Sequence, residues 1–347
     1  MPGEVKALTG LRGLAVLFVL FSHVNKAGFM LFDGFDFSGS GRYGVFIFFV
    51  LSAYLLTRQF IEQARELDFL PHVTSYFFKR LLRIYPLFIM TLMVYYLFHR
   101  YGHTIWVFNV QDIVKNLLLL DGVGVFWAIT VEFQYYFLIP LVSLLMLKYH
   151  DKKIMISFFS LAFLVLYAIN VEAEFKSNLM PFLAIFYMGS FLAYLQGHFE
   201  KLKPLLNSDN YEKYLGGLGL IILFFFIILV PKFYGFLVGR DISIGYFHHQ
   251  FMLFGVLSSL LIFIAINTSG LLNKFLSSRL LCFIGKISFS MYLGHYIVIA
   301  AFSKYSHLLA SNVSFLLIML VTILLSYISF KVVEEPLYGL RHRIKVI

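Results

Sequence analysis

The stretch LTGLRGLAVLFVLFSHVN, from Leu8 to Asn25, decides the fold. It is apolar over nearly the length that crosses a bilayer, about 20 residues. Two ionisable side chains interrupt it, Arg12 and His23. At about 100° per residue, a spacing of eleven returns both to one helix face, roughly 16 Å apart along the axis. An ionised side chain at the centre of a membrane helix costs about 2.5–3.5 kcal/mol on insertion scales, so both residues are functional candidates.

The composition agrees with a membrane reading. The chain has 347 residues, of which 60% are hydrophobic and 13% charged, and a mean hydropathy of +0.84. Soluble domains carry about 25% charged residues. The formal charge of +10 could suggest a nucleic-acid partner, but basic residues on cytoplasmic loops account for it better. The expected surroundings are the lipid bilayer, with no nucleic acid. The single cysteine, Cys282, excludes an intramolecular disulfide framework and reads as a packing residue. The basic and apolar N-terminus could pass for a signal peptide, yet no small-residue cleavage site follows, and Asn25-Lys26 interrupts instead. It reads as a retained helix.

The spanning rule predicts ten helices, at 8–28, 44–60, 81–98, 126–147, 154–170, 179–197, 214–231, 247–267, 283–303 and 313–333. No run of alternating residues recurs at barrel spacing. With no internal repeat and no Pro- or Ser-rich linker, residues 1–347 read as one all-α polytopic membrane domain with no soluble domain appended. Placing the N-terminus in the cytoplasm puts 20 of the 28 Lys and Arg residues on that side, which predicts both termini there.

Polar residues inside these helices are the site candidates. The second helix reads GRYGVFIFFVLSAYLLTR, with Ser52 and Tyr54 inside it. A membrane serine commonly bonds its own helix backbone, so Ser52 carries a site role and a bland reading side by side. The third opens with KRLLRIYP, where Arg80 and Arg83 are i, i+3 neighbours. They read equally as positive-inside anchors or as an anion site, since guanidinium forks match phosphate geometry. Pro86 in the first turns predicts a local bend. The stretch 99–125 reads as a half-buried interfacial segment. Its His99 and His103 lack the companions a metal site needs, so no metal is expected.

The fourth helix, FWAITVEFQYYFLIPL, carries Glu132 about five residues inside its outer end. Running opposite to the first, it places Glu132 near the depth of His23 in a core about 30 Å thick. The ninth, CFIGKISFSMYLGHYIV, carries Ser288, Tyr292 and His295 at i, i+4, i+7, one polar stripe on an apolar helix. His295 falls at a similar depth. For His295 alone, a hydrogen-bonded structural histidine remains an equal reading. His248 and His249 begin the eighth helix, either as surface polarity or at an outer entrance.

These residues carry a resemblance to the integral-membrane acyltransferase family 3, the sugar O-acetyltransferase type. LRGLAVLFVLFSHV resembles its first helix with an Arg-x10-His signature on Arg12 and His23. GVFIFFVLSAYLL resembles its second helix, and KRLLRIYPLF its basic motif at Arg80 and Arg83. FWAITVEFQYYFLIP is similar to its Trp/Glu motif, with Trp127, Glu132, Tyr136 and Pro140 in register. IGKISFSMYLGHYIV matches its penultimate helix at Tyr292 and His295, and VEEP its closing Glu-x-Pro at Glu334 and Pro336. The chain departs from the pattern at Phe46, Ala53, Ala128 and Phe133, which removes Phe46 and Phe133 as polar site residues. The resemblance is to the stand-alone membrane branch.

The resemblance implies a bacterial inner-membrane enzyme. It would move an acetyl or longer acyl group from cytosolic acetyl-CoA, as co-substrate, to a hydroxyl of an extracytoplasmic surface polysaccharide or lipid-linked glycan such as O-antigen. Arg12, Arg80 and Arg83 would meet the phosphates of coenzyme A. Its thioester arm would reach inward by about the 16 Å between Arg12 and His23. His23 would be the general base, since an imidazole accepts a proton near neutral pH. Glu132 would orient His23 or the acceptor hydroxyl, and Tyr292 and His295 would shape the site or stabilise the oxyanion. Two rivals are a proton-coupled transporter built on the same His/Glu groups, which inverted repeats would favour, and a non-catalytic scaffold. A different membrane acyltransferase fold with a central His and Asn is a weaker alternative.

Overall fold

The computed structural model describes residues 6–64, 69–102, 109–148, 162, 179–202, 208–243, 245–305 and 308–338. These residues are helical almost throughout, and none lies in a strand. In chain order the α-helices are α1 (Lys6–Lys26), α2 (Gly41–Ala64), α3 (Phe69–Arg100), α4 (Val110–Leu117), α5 (Trp127–Tyr136), α6 (Ile139–Lys148), α7 (Leu183–Leu202), α8 (Ser208–Ile228), α9 (Pro231–Val238), α10 (Phe251–Asn267), α11 (Leu271–Leu276), α12 (Arg279–Lys286), α13 (Ser288–Ser303) and α14 (Ser311–Ser329).

By length and composition, six spans can cross a membrane, or eight when two bent pairs each count as one. The protein is thus an all-helical, multi-pass membrane protein. Among the ten expected helices, nine coincide with a helix of the described residues. The remaining one, 154–170, lies outside them apart from Ala162.

The boundaries differ where backbone chemistry intervenes. The expected helix 81–98 begins far earlier, as α3 runs from Phe69 and keeps Pro86 inside it. The expected helix 126–147 divides into α5 and α6. Pro140 has no N–H to donate to the Tyr136 carbonyl and its ring crowds that oxygen. The Tyr76 hydroxyl takes the place, donating to the Tyr136 carbonyl at 3.4 Å. The expected helix 214–231 ends before Pro231, the first residue of α9, and the chain turns 86° there. The expected helix 283–303 turns 75° between α12 and α13. The stretch 99–125 holds an eight-residue amphipathic helix, α4, instead of a span. It buries Ile113 and Asn116 and is capped by Asn109 and Asp112 in a reciprocal pair of bonds.

Burial sorts the helices into centre and periphery. The most apolar stretches of α1 and α7 are each 72% buried, against 33% for α3 and 28% for α14. Exposed Leu316, Leu320 and Leu324 of α14, and Phe224 and Phe225 of α8, form apolar surface suited to lipid. The central position of α1 depends on backbone approach. A Cβ on Gly44 of α2 would stand 2.2 Å from the Ala15 carbonyl oxygen, and one on Gly285 of α12 1.8 Å from that of Thr9. Small residues at helix contacts let membrane helices pack without side chains between them. The helix that carries Arg12 and His23 is therefore held on two sides by glycine contacts.

Candidate active site

Arg12 opens onto a cavity between α1, α2, α3, α5 and α13. It encloses about 630 Å³ of empty volume, its open mouth included. Its polar lining is Arg12, Ser52, Arg83, Glu132, Ser288 and Tyr292; Val45, Phe48, Phe49 and Ile129 supply apolar walls. Six of the expected polar residues, from five segments far apart in sequence, thus share one chamber.

Glu132 is the hub of that chamber. Its Oε1 accepts hydrogen bonds from the Ser52 hydroxyl and, at 2.7 Å, from the Tyr136 hydroxyl. Ser52 therefore spends its donor on a carboxylate across the helix interface instead of on its own backbone. Arg80 stands behind, only 4% exposed, within electrostatic reach of Glu132, Tyr76, Tyr136 and Arg83. Its Nε is buried with no hydrogen-bond partner. An unsatisfied buried donor on a guanidinium costs free energy that a bound anion would recover. Arg80 is buried in the polar network and Arg83, though exposed, lines the chamber, which weighs against pure surface anchoring.

His23 has different company. Its Nδ1 lies 2.8 Å from Nε2 of His295, with the rings stacked 5° from parallel. Tyr296 packs against both rings, at 4.6 and 4.8 Å between centroids. His295 is fully buried, and its Nδ1 faces the carbonyl oxygens of Tyr292 at 2.7 Å and Met291 at 3.1 Å. Of the two partners expected for Glu132, His23 or the acceptor hydroxyl, the first is engaged elsewhere: Glu132 bonds Ser52 and Tyr136, while His23 bonds His295. Tyr292 donates its hydroxyl to the Val125 carbonyl at 2.8 Å, fixing the turn that leads into α5. Its hydrogen is committed, so it lines the chamber without offering a free donor.

The other nitrogen of His23 faces Gly41, at the start of α2. A Cβ on Gly41 would stand 3.5 Å from His23 Nε2 and 3.2 Å from the Ser22 hydroxyl. The adjoining loop is held from both sides. Ser22 accepts from the Gly39 N–H at 3.0 Å, and His248 Nε2 donates to the Gly39 carbonyl at 2.9 Å. Gly39 itself has a φ of +93°, which glycine tolerates without strain. Burial, followed by the nearby Arg42 charge, pushes the His248 imidazole down to about 4. His248 thus belongs to the scaffold around His23 and is no mere surface group.

The residue reading passed over two further groups. Glu334 accepts from the Ser290 hydroxyl and lies within electrostatic reach of Arg83. It sits on a π-helical turn, Phe330–Glu334, that follows α14 and leads into a further helical turn at 335–338. Such turns occur often at functional sites. The VEEP motif was its only sequence signal. Gly41 had none, because a glycine that keeps space open looks like any other. Among the described residues, no group of three or more His, Cys, Asp or Glu could hold a metal ion.

The sequence matches known proteins over nearly its whole length. Residues 5–331 match the acyltransferase domain model, Acyl_transf_3. The chain belongs to the acyltransferase 3 family. It is 25% identical over 369 residues to O-acetyltransferase OatA of Staphylococcus aureus strain NCTC 8325 / PS 47, covering 97% of this chain and 57% of that protein. A putative O-acetyltransferase of S. aureus strain MSSA476 is 28% identical over 372 residues, with the same coverage. The chain thus spans a little over half the length of the curated relatives it matches. No solved structure matches it.

Proposed function

We propose that this acyltransferase-family protein is a membrane O-acetyltransferase. It would carry acetyl from cytosolic acetyl-CoA to a hydroxyl of an extracytoplasmic glycan, either a surface polysaccharide or a lipid-linked saccharide. The observation that carries the reading is the division of α1: Arg12 opens onto a cation-lined chamber, and His23 stands about 16 Å further along the same face. The relatives named O-acetyltransferase support the acetyl group over longer acyl groups.

In this reading Arg12, Arg80 and Arg83 hold the phosphates of coenzyme A. Glu132 balances their charge and orders Ser52 and Tyr136 beside the pantetheine arm. The arm directs its thioester along α1 toward His23. The acceptor hydroxyl meets it there from the Gly41 side. His23 Nε2 takes the hydroxyl proton as the oxygen bonds to the acetyl carbon. The carbon–sulfur bond breaks, and the thiolate recovers the proton. Both termini lie in the cytoplasm, and the membrane is the bacterial inner membrane, as the Lys and Arg distribution supports.

The test is deletion of the gene followed by mass analysis of surface glycans. Loss of acetyl esters is expected, restored by the wild-type chain and not by His23→Ala or Arg12→Ala expressed at equal level. Unchanged glycans would overturn the reading. Solute uptake by proteoliposomes without consumption of acetyl-CoA would replace it with the transporter.

A further inference from the structure

We infer that His295 is a positioning residue that fixes which nitrogen of His23 is free to take a proton. The inference rests on the proposed role of His23 as base, and it assigns to His295 a task distinct from contact with substrate.

The positions of the hydrogens follow from one ring to the next. Carbonyl oxygens only accept, and His295 Nδ1 faces two of them, at 2.7 and 3.1 Å. That nitrogen therefore carries a hydrogen. His295 is 0% exposed in the membrane interior, and its hydrogen bonds go to carbonyls and to His23, never to a carboxylate. A second proton would place an uncompensated charge there, which is far more costly than a neutral ring. Its Nε2 then holds a lone pair. The 2.8 Å contact to His23 needs one hydrogen, and only His23 Nδ1 can supply it. Neutral His23 consequently keeps its lone pair on Nε2, the nitrogen that faces Gly41.

In water, a histidine side chain favours the opposite tautomer, with hydrogen on Nε2. That form would present an N–H to the incoming hydroxyl and could not accept its proton. The backbone carbonyls of α13 thus act through two rings in series. Neither ring needs a carboxylate, so Glu132 is left to the arginines. During transfer the hydroxyl proton moves to His23 Nε2, and the positive ring donates a stronger Nδ1–H bond to His295. His295 gains and loses no proton in the cycle. Tyr296, packed on both rings, keeps them parallel.

The test compares two substitutions of similar size in the full-length protein in lipid. His295→Gln retains an oxygen that can accept from His23 Nδ1, and His295→Leu retains none. Histidine labelled with ¹⁵N, assigned by loss of one signal pair in His23→Gln, reports the tautomer whatever reaction the protein performs. The expected result is hydrogen on Nδ1 of His23 in wild type and His295→Gln, and a shift toward hydrogen on Nε2 in His295→Leu. Acetyl transfer should fall about 10- to 100-fold in kcat for His295→Leu at unchanged KM, and less than about fivefold for His295→Gln. Hydrogen on Nε2 in wild type, or one tautomer common to all three proteins, would overturn the inference. Full activity of His23→Ala would instead overturn the base assignment and leave the tautomer result standing.

Discussion

Gly41 faces Nε2 of His23 so closely that a single methyl group would stand 3.5 Å from it and 3.2 Å from the neighbouring Ser22 hydroxyl. In the proposed reaction an acceptor hydroxyl comes within hydrogen-bond reach of that nitrogen to lose its proton, which makes this space part of the proposed site. Gly41→Ala should therefore reduce acetyl transfer by about 10- to 100-fold, as displacement of a reacting group by about 1 Å does. The φ of Gly41 lies outside the left-handed region, and the Ser22 side chain need give only a few tenths of an ångström to admit the methyl group. Size-exclusion elution and melting temperature in detergent should match wild type. Unchanged transfer would show that the acceptor reaches His23 from another side.

The two ends of the site should separate kinetically. Arg83 lines the chamber and would hold a phosphate of the donor, so Arg83→Gln should raise KM for acetyl-CoA by about 10- to 100-fold, the worth of one charge-assisted hydrogen bond. His23→Gln should lower kcat by at least about 100-fold and leave that KM within about threefold. Initial rates against acetyl-CoA concentration check both. A shared kcat effect with no change in KM would remove Arg83 from donor binding.

Much of this site was legible in the sequence, and the reasons are physical. A charge in an apolar helix stands out because the membrane makes it expensive, so Arg12, His23, Glu132 and His295 could be found one at a time. Which of them meet depends on helix breaks. Glu132 meets Ser52 across the helix contact and Tyr136 one turn along its own helix, and His295, beyond the 75° turn at Ile287, meets His23. Helical periodicity predicts faces and is silent on such breaks. Residues that act by being small, such as Gly41 and Gly285, leave no trace in hydropathy. Glu334 was visible only as part of a motif, since a carboxylate among other charged residues near the tail normally meets water.

The glycine contacts of α1 predict a stability defect distinct from loss of chemistry. A Cβ on Gly285 would overlap the Thr9 carbonyl at 1.8 Å, with backbone as the obstacle. Gly285→Ala should force α12 away from α1 and cost about 3 kcal/mol, the upper range for overpacking. The expected result is a melting temperature well below wild type or loss of monodisperse protein, with His23 and Arg12 unaltered. Gly270→Ala, where nothing lies within 4 Å of the new carbon, is the control and should behave as wild type.

His248 predicts how the outer loop responds to acid. Its pKa is pushed from the ordinary 6.5 to about 4 in the folded protein, by burial first and the Arg42 charge second. The unfolded chain therefore binds more protons than the folded one between those values, and the associated stability is full above pH 6.5 and lost as pH falls toward 4. His248→Gln keeps a donor for the Gly39 carbonyl and carries no titratable proton. Melting temperatures measured at pH 7.5 and pH 5 should fall more in wild type than in His248→Gln, with the two proteins close at pH 7.5. Because the same loop sets Gly41 beside His23, transfer activity of wild type should also drop at pH 5 by more than that of the variant. Equal pH sensitivity in the two proteins would mean that the Gly39 peptide is held without His248.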